Sequence, residues 1–352
     1  HLELSSKDRT LFYTTCGWMM WNWLLFALGS GSSIVLYDGS PAFPKVDQLF
    51  ELAAKYDVTA LGFSAKYADS LRKAEIDLKS NHDLSKIRLL MSTGSVLAPE
   101  SFDYLYNSTK EDIHLVSLSG GTDICGCFIM GIPTLPVHRG EIQGPCLGLA
   151  MSVYRQDGSE AERNEKGELV CEQPFPSMPI GFWGDEDGSR FRSAYFSGFE
   201  SVWTHGDFAA VTESGGFLMY GRSDATLNSK GVRIGTAEIY RVVEGFPEVK
   251  EAMAVSQDWD NDSRVILFLV MNESATLDDE LKNRLKQALR NQASPKHVPD
   301  VMISAPELPR TKSNKLVELA VADVINGREV RNRDALANPV ALDWFVNRPE
   351  LK

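Results

Sequence analysis

Gly221-Arg222-Ser223-Asp224-Ala225-Thr226-Leu227-Asn228-Ser229-Lys230-Gly231-Val232-Arg233-Ile234-Gly235-Thr236-Ala237-Glu238-Ile239-Tyr240 is the stretch on which the reading of this 352-residue chain turns. Two glycines, Gly231 and Gly235, are expected to need unusual backbone freedom. They alternate with Arg222, Asp224, Lys230 and Arg233, ahead of a helix whose first turn carries Glu238. The stretch reads as a hinge. Residues before it have one texture and residues after it another, so two domains are expected, 1–223 and 224–352.

Working back toward the start, short β-rich runs alternate with helical stretches: Thr10–Thr15, Ser33–Tyr37, Val58–Phe63, Ile87–Ser92 and Ile113–Leu118. Each run is nearly continuous in apolar residues, the pattern of a strand buried on both faces. A doubly wound α/β layer with a parallel sheet is therefore expected over 1–131. The apolar run Gly17–Leu28 is interrupted by Asn22 and is too short for a bilayer, so it is expected to be a buried helix. From 132 to 223 the texture changes to proline, glycine and short alternating strands at Ala150–Arg155, Glu168–Glu172, Phe208–Thr212 and Phe217–Tyr220, which predict a small barrel or distorted sheet.

Forward of the hinge a compact α+β pattern is predicted. It comprises helix 236–245, strands Glu251–Val255 and Val265–Val270, helix 277–291, strand Val301–Ser304, a polar loop Pro309–Lys315 and helix Val317–Val324.

The net charge of −12 and the lack of a Lys/Arg cluster exclude a nucleic-acid binder as the leading class, because phosphate contacts need a basic face. The five cysteines are odd in number and lack paired metal spacing. Buried structural thiols in a reducing cytosol are expected, with Cys125-Gly126-Cys127 too tight for a zinc knuckle. The opening His1-Leu2-Glu3-Leu4-Ser5 does not read as a signal peptide.

Three strands end in small or glycine-rich loops: Thr14–Gly17, Ser92–Ser95 and Ser119–Asp123. Ligands of open α/β sheets bind at the carboxyl ends of strands, so these loops are expected to converge on one crevice. His205-Gly206-Asp207 lies between two short apolar strands, where the aspartate could accept both hydroxyls of a ribose or simply stand in a turn. Arg222 and Arg233 offer planar sets of donors suited to ribose and phosphate. Lys312 and Lys315 sit in a shaped turn, Leu308-Pro309-Arg310-Thr311-Lys312-Ser313-Asn314-Lys315.

The ordered set Ser119-Gly120-Gly121-Thr122-Asp123, Thr204-His205-Gly206-Asp207, Gly221-Arg222-Ser223-Asp224 with Lys230 to Arg233, and Pro309 to Lys315 resembles the adenylate-forming acyl-CoA synthetases over nearly the whole chain. The stretches Phe12–Trp23 and Ser119–Cys125, with Asn338-Pro339-Val340-Ala341, resemble the members that act on acetoacetate. The resemblance implies a large domain followed by a small mobile one. It also implies an acid–thiol ligase that converts acetoacetate, ATP and coenzyme A to acetoacetyl-CoA, AMP and pyrophosphate through an acyl-adenylate, with Mg²⁺.

Residue by residue, the resemblance implies that Asp207 holds the ribose hydroxyls with Arg222 beside it. Gly94, Ser95, Gly120, Gly121 and Thr122 would line the nucleotide. Asp123, in place of the usual glutamate, would hold Mg²⁺. Gly231 and Arg233 would meet phosphate or coenzyme A, Asp224 would be the pivot, and Lys315 the lysine that serves adenylation. Trp18, Met19, Met20, Gly94 and Gly120 would line the acyl site, where Gly120 leaves room for a four-carbon acid, acetoacetate or a butyrate-like substrate. Asn314 stands where the family usually has glycine. No Ser/Thr/Gly-rich phosphate loop ending in Pro-Lys occurs among the 352 residues. The chain is therefore expected to be the C-terminal portion of a longer enzyme, with little adenylation by itself; a fragment that only binds nucleotide or acyl-CoA is the alternative of another class.

Overall fold

The computed structural model describes residues 1–352 apart from Lys230, Gly231, Asn261, Ser313, Asn314, Arg331 and Asn332, and apart from the side chains of Asn228, Ser229, Val232, Arg233 and Asp262. The chain divides into two compact units. One comprises His1–His205 and Ala209–Met219, the other Gly206–Phe208 and Tyr220–Lys352.

In the first unit, strands β1 (Arg9–Phe12), β2 (Ser33–Ile34), β3 (Ala60–Ser64), β4 (Leu89–Thr93) and β5 (His114–Ser117) form one sheet in the order β2-β1-β3-β4-β5. All four pairings are parallel. Because successive strand residues point to opposite faces, neighbours divide between two cores. Leu11, Leu61, Leu90 and Leu115 face α2 (Gln48–Lys55), α3 (Ala65–Lys73), the single turn α4 (Leu78–Asn81) and α5 (Pro99–Ser108), while Phe12, Ala60, Leu89 and Val116 face α1 (Met20–Gly29). This is the α/β layer that continuous apolar strands predict.

One expectation fails here. The Gly17–Leu28 run does form a helix, but α1 buries only Met20, Leu24 and Ala27, spaced to share one face, while Phe26 is 62% and Leu28 52% exposed.

The sheet is locked at its amino-terminal end by a buried carboxylate. Asp8 accepts hydrogen bonds from Arg88 Nε at 2.8 Å, Thr59 Oγ1 at 2.8 Å and the Ser5 amide at 2.9 Å. Burial raises its pKa, but these donors overcome that and hold it well below the usual carboxylate range.

Past β5 the chain turns into two sheets, the distorted-sheet form of the expectation and not the barrel. Strands β6 (Ser119–Gly121), β7 (Gly126–Met130) and β8 (Gly144–Pro145) pair antiparallel in that order. Strands β9 (Met151–Tyr154), β10 (Gly167–Cys171), β11 (Trp203–Val211) and β12 (Phe217–Arg222) form the second, in the order β12-β11-β10-β9. The helix α6 (Ser189–Tyr195) escapes sequence reading because its seven residues are too few to show a period.

In the second unit, β13 (Leu227–Ser229) and β14 (Val232–Ile234) form an antiparallel pair leading into α7 (Thr236–Val243). Gly235 has an ordinary extended backbone, φ −78°, so it is not glycine for the reason expected. A side chain there would meet the Tyr220 carbonyl at 2.3 Å. Gly231 lies outside the described residues.

Strands β15 (Val249–Trp259) and β16 (Asp262–Met271) pair antiparallel, and β17 (Val301–Ser304) joins β16 in parallel. Ala252, Ala254, Leu267 and Leu269 pack toward α7 and α8 (Asp279–Gln292). Met253, Val255, Ile266 and Phe268 pack on the opposite face toward α9 (Glu318–Ile325) and a 3₁₀ turn at Pro339–Phe345. Asp278 caps α8 by accepting from the Leu281 amide at 2.8 Å.

Candidate active site

The candidate residues fall into two groups, one per unit. In the first unit the strand ends do converge. A side chain built on Gly94, past β4 with φ +91°, would lie 3.6 Å from Trp18 past β1 and 3.9 Å from Ser64 at the end of β3. Thr93 donates to the Leu118 carbonyl at 3.0 Å, joining the ends of β4 and β5. Trp18, Met19 and Met20 cluster with Leu118 and Cys127. Gly94 and Ser95 are exposed.

The Ser119–Asp123 segment is not a plain loop. Ser119–Gly121 is strand β6, and Thr122 and Asp123 sit in the turn to β7, where the Cys125 amide reaches the Thr122 carbonyl at 3.1 Å. A Cβ on Gly120 would stand 2.0 Å from the Gly126 carbonyl oxygen and 2.6 Å from the Cys127 Cα. Glycine here answers the close approach of β7, whatever room it also leaves in an acyl pocket. Gly121 presents its Cα to the His205 ring, 2.4 Å from where a Cβ would be.

Asp123 is exposed and accepts a hydrogen bond from the Tyr195 hydroxyl. Among the described residues no three His, Cys, Asp or Glu side chains form a metal cage. A single exposed carboxylate nonetheless fits Mg²⁺, which keeps its waters and takes one or two protein carboxylates together with substrate phosphates.

The cysteines are free. Cys146 and Cys171 are buried, as expected of structural thiols, while Cys125 and Cys127 are half-buried and Cys16 is exposed, against expectation. Burial pushes the Cys146 thiol up to about 12 and Cys127 higher, which leaves neither as a thiolate.

In the second unit, Asp207 does not lie between two strands. His205-Gly206-Asp207 is interior to β11, and Gly206 takes φ +83° within it. A Cβ on Gly206 would stand 2.6 Å from the Arg222 guanidinium, so glycine admits that side chain beside the strand. Arg222 reaches Asp207 Oδ1 at 3.5 Å and Asp224 Oδ2 at 3.1 Å.

Asp207 is buried, and desolvation raises its pKa to about 6, with Asp224 adding to the rise and Arg222 and Lys315 opposing it. Burial wins over two cations, yet the group is ionised at neutral pH and able to accept hydroxyl donors. Lys315 retains solvent-accessible surface, but the protein around it lowers its pKa, Asp207 opposes this, and Arg222 adds to it. Its turn is pinned: Thr311 Oγ1 accepts from the Lys315 amide at 3.1 Å and the Thr311 amide donates to the Lys315 carbonyl at 2.9 Å. Asp207, Arg222, Asp224 and Lys315 thus form one electrostatic cluster within this unit.

Sequence reading missed two further members. Tyr240 donates to Glu318 Oε1 at 3.0 Å and accepts from the Ala254 amide at 3.1 Å. Burial raises the pKa of both side chains, and Glu318 also feels Asp224 and Arg222. A glutamate in the first turn of a helix carries an ordinary helix-start signal, which hides its second role. The Arg233 side chain, Gly231 and Asn314 lie outside the described residues.

The profile of the AMP-binding enzyme family matches residues 1–181, and that of the AMP-binding enzyme C-terminal domain residues 238–315. The acetoacetyl-coenzyme A synthetase of Rhizobium meliloti (strain 1021) is 52% identical over 352 residues, covering 100% of this chain and 54% of its own length. The acetoacetyl-CoA synthetase of Xenopus tropicalis is 45% identical over 354 residues, covering 100% of this chain and 52% of its own.

The solved acetoacetyl-CoA synthetase from Streptomyces lividans superposes with a TM-score of 0.90 at 40% identity, over 96% of this chain and 52% of that one. An anthranilate CoA ligase shares the fold at 19% identity, with a TM-score of 0.74 over 90% of this chain and 59% of that one. The chain spans about half the length of the curated relatives it matches. With its strand-end loops, its Asp207–Arg222–Lys315 cluster and a family match over more than half its residues, the chain belongs to the family of AMP-binding enzymes.

Proposed function

We propose that the chain is part of an acid–thiol ligase that makes acetoacetyl-CoA, AMP and pyrophosphate from acetoacetate, ATP and coenzyme A through an acyl-adenylate. The observation that carries the chemistry is the cluster of Asp207, Arg222 and Lys315, a buried carboxylate able to accept ribose hydroxyls, paired with an arginine and in electrostatic reach of a lysine. The choice of acid rests on the names of relatives such as the acetoacetyl-CoA synthetases of Rhizobium meliloti and Xenopus tropicalis, 52% and 45% identical.

The roles follow from charge. A carboxylate attacking the α-phosphorus of ATP is an anion meeting an anion, so a cation must stand where negative charge develops. Lys315 serves there. Asp207 accepts the ribose hydroxyls, with Arg222 orienting it. Gly94, Ser95, Gly120, Gly121 and Thr122 let the nucleotide approach the backbone, and Trp18, Met19 and Met20 border the acyl group. Bound through Asp123, Mg²⁺ would neutralise charge on the phosphates. Gly231 and Arg233 serve the later thiol step, and Asp224 is the pivot on which the two half-reactions alternate, with 1–223 and 224–352 as the functional domains. The setting proposed is the cytosol; no helix among the described residues is long and apolar enough to cross a membrane.

The test is acetoacetate-dependent ATP–pyrophosphate exchange by the full-length protein and its Lys315→Ala variant, with butyrate as the competing acid. Exchange with acetoacetate that falls by about 10²-fold or more in the variant supports the reading. Exchange unaffected by the variant, or a preference for butyrate, overturns the lysine's role or the substrate respectively.

A further inference from the structure

We propose that Tyr195 is a positioning residue for the Asp123 carboxylate, holding one of its oxygens so that the other is presented to a divalent cation. This rests on the reading of Asp123 as the Mg²⁺ ligand. Asp123 stands on an exposed turn, where an aspartate side chain ordinarily samples several rotamers. Its Oδ2 accepts the Tyr195 hydroxyl, and its Oδ1 accepts no hydrogen bond among the described residues.

The phenol that makes this bond is itself immobile. Tyr195 is 6% exposed, at the end of α6. Its ring stacks on Trp203 with centroids 3.7 Å apart and planes 12° from parallel, while Phe191 and Phe182 meet it edge-on at 5.6 and 5.8 Å. Trp203 is in turn buried at 1% exposure. An immobile donor on one carboxylate oxygen fixes the plane of the group and leaves the second oxygen free to coordinate. Partners of this kind, one bond removed from a metal, typically change metal affinity by about 10- to 100-fold when lost. The phenol comes from α6, 72 positions along the chain from the carboxylate in the β6–β7 turn.

The experiment compares wild type, Tyr195→Phe and Asp123→Ala in the full-length protein. ATP binding is measured by calorimetry with Mg²⁺ titrated in and with EDTA present, and thermal melting checks the fold. Tyr195→Phe keeps the ring and its stack. The expected result is that this variant needs about tenfold more Mg²⁺ to reach half of its Mg²⁺-dependent gain in affinity, with ATP binding in EDTA unchanged, while Asp123→Ala loses the gain altogether. If Asp123→Ala loses the gain and Tyr195→Phe keeps the wild-type Mg²⁺ requirement, the tyrosine's role is refuted and the reading of Asp123 stands. If Asp123→Ala keeps the gain, the reading of Asp123 fails and the proposal with it. Equal weakening of ATP binding by Tyr195→Phe with and without Mg²⁺ would show a merely structural tyrosine.

Discussion

Replacing Asp207 by asparagine is expected to stabilise the protein at neutral pH while removing the carboxylate proposed to accept the ribose hydroxyls. The carboxylate is buried, and its pKa rises from 3.8 to about 6 on folding. Below the unfolded value both states are protonated, and the raised pKa has no cost. Between the two values the unfolded chain loses its proton while the folded one keeps it, so stability falls as pH rises. Above about 6 both are ionised and the loss is complete. At about 1.4 kcal/mol per pH unit, the ionised Asp207 costs about 1 kcal/mol near pH 4.5 and about 3 kcal/mol near pH 7.5.

The side-chain amide of the Asp207→Asn variant does not titrate, so the variant's gain over wild type is expected to grow by about 2 kcal/mol between those two pH values. Urea unfolding of both proteins at each pH measures it. A stability difference that does not change with pH would refute the reasoning, because a lost hydrogen bond or a packing change has no reason to follow the titration of this group. The same pKa predicts that nucleotide affinity of wild type weakens as pH drops through about 6, when the acceptor becomes protonated.

Gly120→Ala is expected to lower stability by about 1–3 kcal/mol, since the new methyl group meets backbone at 2.0 Å and backbone cannot rotate away; an unchanged melting temperature would count against the close approach. Asp8→Ala is expected to cost about 2–4 kcal/mol by leaving the donors of Arg88, Thr59 and Ser5 without their acceptor. Because the folded-state pKa of Asp8 is depressed, its contribution is present above the ordinary carboxylate range and is lost as pH falls below it, so the variant and wild type should converge in acid unfolding curves. Asp224→Pro is expected to restrict the backbone and to impair pyrophosphate exchange and thioester formation unequally; equal loss of both would count against the pivot.

Much of the architecture was legible because the apolar runs were plain. Near-continuous apolar runs such as Leu89–Met91 can be satisfied only with cover on both faces, and that alone implies a parallel sheet between helix layers. Strand Val301–Ser304 was readable to the residue for the same reason. The strand Ser119–Gly121 was not, since two glycines erase both alternation and β-propensity, and only the facing Gly126–Met130 makes it a strand.

The sequence by itself determined which groups are available: an ordered set of acids, bases and glycines whose resemblance to the adenylate-forming acyl-CoA synthetases implies nucleotide handling. Tertiary structure alone decided how those groups behave. The carboxyl of Asp207 titrates near 6 because folding buries it, and Lys315 is tuned by an aspartate more than a hundred positions away in the chain. Tyr195 meets Asp123 across 72 positions. Desolvation and charge fall off with distance in space, not along the chain, so no local pattern could have carried them.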